Sequence, residues 1–150
     1  MKHFRVIILI IILSFSSTLV CGQFWKQYAD SAKTFSDLKK KEKAVEYYIL
    51  AKEELKKDSF LTNTHARIDN VLANLYSSSN QYEKAEPLRL EAKEIWEKVF
   101  GKRSPSYALG CYNLGNLYLD TEKYDKAEMY FKESREIRGD VLGRESDDYA

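Results

Sequence analysis

Three times in this chain a small residue is followed twelve positions later by alanine: Ala32 and Ala44, Ala73 and Ala85, Gly115 and Ala127. Around the second and third pairs whole phrases recur 42 residues apart. Val71-Leu72-Ala73-Asn74-Leu75-Tyr76 returns as Asn113-Leu114-Gly115-Asn116-Leu117-Tyr118, and Tyr82-Glu83-Lys84-Ala85-Glu86 as Tyr124-Asp125-Lys126-Ala127-Glu128. Glu94-Ile95 returns as Glu136-Ile137, Val99 as Val141, Gly101 as Gly143, and Ser106-Tyr107-Ala108 as Asp148-Tyr149-Ala150. A more diverged copy precedes them at an offset of 41, where Glu42-Lys43-Ala44 matches Glu83-Lys84-Ala85 and Ala51-Lys52-Glu53 matches Ala92-Lys93-Glu94. A period of this length marks a chain built by stacking copies of one supersecondary unit.

The spacing inside each copy says what the unit is. In the third, Cys111, Leu114, Gly115 and Tyr118 fall three and four residues apart, on one face of a helix. Asp120-Thr121-Glu122-Lys123 is a polar break, and Tyr124, Ala127, Tyr130, Phe131, Ser134 and Ile137 trace a second helix. Gly115 and Ala127 let the two helices approach near the short end of the usual interaxial range of about 8–10 Å, while Tyr118 and Phe131 fill the space beside the crossing. Neither helix can bury its stripe alone, so neighbouring pairs must stack. The expected fold is therefore all-α, a solenoid of antiparallel helix pairs at about 24–57, 60–101 and 104–143, with the start of a further unit at 146–150. Pro87 is expected early in a second helix, where little hydrogen bonding is lost. Gly101 and Gly143 are expected to end helices.

The first 22 residues have another character. Lys2, His3 and Arg5 give a basic start, Val6 to Leu13 is an unbroken apolar run, and Ser14 to Val20 is softer. This is the layout of a secretory signal peptide, and the run is short for a membrane span of about 20 apolar residues. Cleavage is expected after Gly22, so that residues 1–22 leave and 23–150 form the array, with no membrane insertion after cleavage. The expected destination is the periplasm, the cell surface or the medium. The competing reading is a lipoprotein acylated at Cys21, against which Thr18-Leu19-Val20 lacks the small residue wanted before the cysteine.

Little in the remaining chain points to chemistry. Charges nearly cancel, 24 Lys+Arg against 23 Asp+Glu, and no basic run stands apart from acidic neighbours, so no nucleic acid is expected. Lys39-Lys40-Lys41 lies in a turn beside Glu42 and Glu46. After the leader only His65 and Cys111 remain of their kinds, on different helical units with no reason to meet, so no Cys–His nucleophile is expected. No set of three or four zinc ligands with local spacing exists, nor a phosphate-binding glycine loop. Cys111 reads as a small buried hydrophobe. Glu91, Glu94 and Glu97 read as solvated helix surface. No catalytic, cofactor-binding or metal-binding residue is expected, and no cofactor.

The phrase Cys111-Tyr112-Asn113-Leu114-Gly115-Asn116-Leu117-Tyr118, followed by Tyr124-Asp125-Lys126-Ala127 and Phe131, resembles the tetratricopeptide repeat signature. Its 42-residue period and the wording from Tyr82 to Leu88 and from Glu97 to Gly101 are similar to the extended repeats of kinesin light chains, found also in exported bacterial proteins. Departures are Cys111 at the aromatic-leading position, Ser31 at a usual leucine in the first unit, and Arg89 where the pattern has an aromatic. The last implies a loosened contact to the next unit.

The resemblance implies a right-handed superhelix whose first helices line a concave groove that holds a protein or peptide. Carried onto this sequence, the groove positions are Lys33 in the first unit, Arg67, Asn70 and Asn74 in the second, and Tyr112, Asn116 and Asp120 in the third. Asn74 and Asn116 can both donate to and accept from a peptide backbone, and Tyr112 offers area at low entropic cost. The alternative for the two asparagines is that they are common, solvated signature residues. Ala29 occupies a place where the carboxylate clamp of some chaperone-binding relatives needs a polar side chain, so that arrangement is not assembled. The expected function is an exported scaffold for protein–protein or protein–peptide interaction, not an enzyme. The alternative is the N-terminal repeat region of a larger exported enzyme or sensor, such as a caspase-like peptidase or a sensor kinase.

Overall fold

The computed structural model describes residues 24–56 and 62–142. The leader expected over 1–22, Cys21, and the further unit expected at 146–150 lie outside the described residues. Six helices follow one another: α1 (Phe24–Asp37), α2 (Lys41–Leu55), α3 (Asn63–Ser77), α4 (Tyr82–Phe100), α5 (Pro105–Asp120) and α6 (Tyr124–Leu142). They pack as three consecutive pairs, α1 with α2, α3 with α4, and α5 with α6, and α4 also packs against α5. The chain divides into two compact units, the first holding the α1–α2 pair and the second the α3–α4 and α5–α6 pairs.

Each pair turns back in the same way. The backbone N–H of Lys40 donates to the Phe35 carbonyl at 2.9 Å, that of Gln81 to Tyr76 at 2.9 Å, and that of Lys123 to Tyr118 at 2.8 Å. One residue earlier, Lys39, Asn80 and Glu122 donate to Ser36, Ser77 and Leu119. This pair of reversed bonds is the Schellman termination, which needs a left-handed residue just past the helix. Lys39, Asn80 and Glu122 supply it at φ 57°, 57° and 58°. A lysine from the following helix then lies over the ring that ended the preceding one. Lys43 sits 5.4 Å from the Phe35 centroid, Lys84 5.4 Å from Tyr76 and Lys126 5.0 Å from Tyr118.

The helix starts are less uniform. Pro105 opens α5, and the Ser104 hydroxyl accepts from the Tyr107 N–H at 3.2 Å while donating to the Gly101 carbonyl at 2.7 Å. At α3 the Thr62 N–H donates to Nδ1 of His65 at 3.2 Å, so His65 serves a helix end. Pro87 lies inside α4, beyond its first turn, so the Glu83 carbonyl lacks its intrahelical donor, a cost the early placement expected from sequence would have avoided. Gly101 ends α4 at φ +80°, a conformation favouring glycine.

The paired small residues sit at the crossings. Ala32, Ala44, Ala73 and Ala85 are fully buried and Ala127 nearly so. Gly115 lies so close to the Phe131 ring that a Cβ there would come within 2.6 Å of it. In the second unit Ala73, Ala85, Leu114, Leu117, Tyr118 and Ala127 form one core that spans both helix pairs. In the first, Tyr47 packs between Tyr28 and Phe35, at 6.3 and 5.1 Å between centroids.

Candidate peptide groove and its supports

The α3 and α5 helices are the first members of adjacent pairs. Between them Nδ2 of Asn113 donates to Oδ1 of Asn70 at 2.8 Å, tying α5 to α3 through two half-buried amides. Asn74, a turn further along α3, is exposed, and its Oδ1 accepts from Nη2 of Arg89 at 3.1 Å. Arg67 and Asp120 are exposed on the same two helices, and Asn116 is half-buried. The result is a strip of amides bordered by one cation and one carboxylate. Such a strip can donate to and accept from an extended backbone without reading its side chains.

Arg89 stands where the repeat pattern has an aromatic. It is only 7 % exposed, and burial lowers its affinity for a proton while the Asp120 carboxylate works in the opposite direction. An arginine reaching from α4 to Asn74 thus replaces ring packing with polar bracing. Asn113 and Arg89 are the two contributors that sequence reasoning did not place in the site. Their partners are 43 and 15 residues away, and no local pattern announces either bond.

Tyr112 sits apart from this strip. Its exposed ring packs on Phe131 of α6 at 5.7 Å between centroids, with the Arg138 guanidinium 5.2 Å above it. Lys33 is exposed on α1, in the other compact unit.

Beneath the strip, the junction between the two pairs is polar as well as apolar. The Tyr118 hydroxyl donates to Glu86 at 2.7 Å. The Tyr107 hydroxyl accepts from Nζ of Lys93 at 3.2 Å and donates to Glu133 at 2.8 Å, joining α4, α5 and α6. Burial, then the bond to a carboxylate, raises both tyrosines well above the usual phenol range. Cys111 is fully buried beside Tyr107, and its thiol is pushed up to about 12 by burial and then by Glu133. A thiol so held is a poor nucleophile. Among the described residues no group of three or more His, Cys, Asp or Glu could hold a metal ion, and no helix is long and apolar enough to cross a membrane.

Comparison with known proteins agrees with this architecture. The structure of BtubC (BKLC) from P. vanneervenii is similar to it with a TM-score of 0.79 and 25% sequence identity, over 86% of this chain and 52% of BtubC. The chain therefore spans about half the length of that protein. No curated protein matches the sequence. The fold is that of an all-α helical repeat solenoid with repeats like those of kinesin light chains. The tetratricopeptide repeat pattern matches residues 64–147, more than half of the sequence, and the chain belongs to the tetratricopeptide repeat family.

Proposed function

We propose that this chain is an exported scaffold that holds a protein or peptide against the amide strip of α3 and α5. Repeats of this family serve protein–protein interaction and are not typically catalytic, which is the coarse function. The finer reading rests on one observation, the Asn70–Asn113 bond, which sets two amides side by side between adjacent helices. Arg67, Asn74, Asn116 and Asp120 lie on the same two helices, and Tyr112 is exposed on α5. The opening of the sequence, basic, then apolar, then softer toward Gly22, supports export, with cleavage after Gly22 favoured over acylation of Cys21.

The test uses the 23–150 chain immobilised beside an Asn74→Ala/Asn116→Ala variant that retains its helical circular dichroism. A partner held by the first and lost by the second supports the reading. Equal capture by both, or a measured catalytic turnover, overturns it.

A second reading keeps the same surface but makes it the repeat region of a longer exported enzyme or sensor. Recurrence of Tyr107-Ala108 as Tyr149-Ala150 favours it, because the repeat wording runs on past α6. Sequencing the reading frame past Ala150 separates the two.

A further inference from the structure

At the repeat position held by Tyr48 in the first helix pair and Phe131 in the third, the second pair has Arg89. The exchange sets a cation where its counterparts set a ring, and only 7 % of Arg89 is exposed. Burying a guanidinium costs free energy unless its N–H groups are met. Among the described residues they are met in part. Nη2 donates to Oδ1 of Asn74, Nε is buried with no hydrogen-bond partner, and Asp120 acts on the guanidinium through charge alone.

The two nitrogens belong to one edge of the group. Nε–H and Nη2–H point the same way in the guanidinium plane, spaced to meet both oxygens of a carboxylate. Asn74 brings a single carbonyl oxygen to that edge and leaves the second donor idle. Asn74 is itself exposed on α3, so the amide that covers the edge is open to an incoming group. A carboxylate in its place satisfies both donors and releases the amide to a peptide backbone. Asn70, a turn before Asn74, and Asn113 and Asn116 on α5 line the same strip. An extended chain commits its backbone groups to these amides, which leaves a side chain to reach Arg89.

We propose that Arg89 is a carboxylate subsite of the α3–α5 strip: an aspartate or glutamate side chain of an extended peptide takes the Nε–Nη2 edge, and Asn74 turns from Arg89 to the peptide backbone. This assignment rests on the strip holding a peptide and adds the class of residue it selects.

Nuclear magnetic resonance of the whole isotope-labelled chain, titrated with a capped glycine–serine hexapeptide carrying one aspartate, tests this. The same peptide with asparagine in place of the aspartate is the control. The acidic peptide should bind about tenfold more tightly at low salt and shift the Arg89 Nε–H and Asn74 side-chain amide signals together. Arg89→Lys keeps the charge without the two-donor edge and should cut the preference to about twofold or less. Arg89→Met should abolish it and leave the asparagine peptide bound. If Arg89→Met loses its helical circular dichroism, Arg89→Lys and the Nε–H shift of the unaltered chain decide. Equal binding of the two peptides overturns the proposal and leaves the strip as a backbone groove, as does a preference that survives at Arg89 but disappears in Arg67→Gln. Binding of neither peptide removes the groove reading as well. An asparagine peptide with a free terminal carboxylate that binds as tightly as the acidic one assigns the edge to a chain end and overturns the side-chain assignment.

Discussion

The Tyr118 hydroxyl, near the C-terminal end of α5, donates to the Glu86 carboxylate near the start of α4 at 2.7 Å. The bond crosses from one helix pair to the next, and the ring that carries it also stacks on Tyr130 at 5.6 Å and lies under Lys126. Removing only the hydroxyl leaves the ring contacts and isolates the bond. Tyr118→Phe should cost about 1.5 kcal/mol, the lower end for a hydrogen bond to a charged group, because Glu86 keeps some water and Lys123 is 3.6 Å away. Urea denaturation checks this, and a loss under about 0.3 kcal/mol would show the bond contributes nothing across the junction.

Gly115 of α5 lies directly against the Phe131 ring of α6. A methyl at position 115 meets the ring at 2.6 Å, and Phe131 lines an open cavity beside α6. Gly115→Ala gains helix propensity of about 1 kcal/mol. Overpacking costs about 1–3 kcal/mol, so a net loss of about 1 kcal/mol is expected. In a Phe131→Leu background the same change should stabilise instead. A double-mutant cycle measures the difference, and additive effects would mean that the ring is not the obstacle.

The turns offer a change in the other direction. Glu122 holds φ 58° without being glycine, as Lys39 does in the first turn, whereas Asn80 is of a type that tolerates this region. Glu122→Gly should raise stability by about 0.5–1 kcal/mol, since relief of the left-handed strain exceeds the added freedom of the unfolded chain. Glu122→Val should lower it. Thermal melts of the two variants decide the matter, and a lower midpoint for the glycine variant would show that the turn carries no such strain.

These three sites show where the sequence was informative and where it was silent. The alanine pairs and the helix stripes were legible because a repeated core leaves a repeated spacing, and Ala73 and Ala85 are buried where that spacing puts them. Lys39 and Glu122 gave no warning of a left-handed turn, because the usual glycine is absent and backbone bonding alone enforces the conformation. The amide strip was half legible. Asn70, Asn74 and Asn116 followed from family positions, whereas Asn113 and Arg89 act through partners that only the packing of α3, α4 and α5 brings within reach. Arg89 shows the limit most clearly: in sequence it marks a missing aromatic, and in the fold it is a buried brace.

Alkaline pH should expose the protons stored at the junction of α4, α5 and α6. Burial, with help from Glu133, pushes the Cys111 thiol up to about 12, and burial with a carboxylate bond raises Tyr107 and Tyr118 from their ordinary value. All three are acids whose neutral form the fold prefers. Below about pH 7.5 both folded and unfolded chains hold all three protons and the stabilisation is fully present; the unfolded chain gives up the cysteine proton at about pH 8.5–9 and the tyrosine protons at about pH 10. Above each of these values the unfolded chain releases the proton while the folded chain retains it, so stability falls by about 1.4 kcal/mol per pH unit for each group until its folded value is reached. Cys111→Ala should therefore make the decline between about pH 9 and 11 shallower by that amount per unit, whatever it costs at neutral pH. Native Cys111 should react with a thiol reagent at pH 8 only as fast as the chain opens. Parallel urea-derived stability curves for the two proteins across this range, or rapid labelling of the folded thiol, would show that Cys111 is not held neutral by its surroundings.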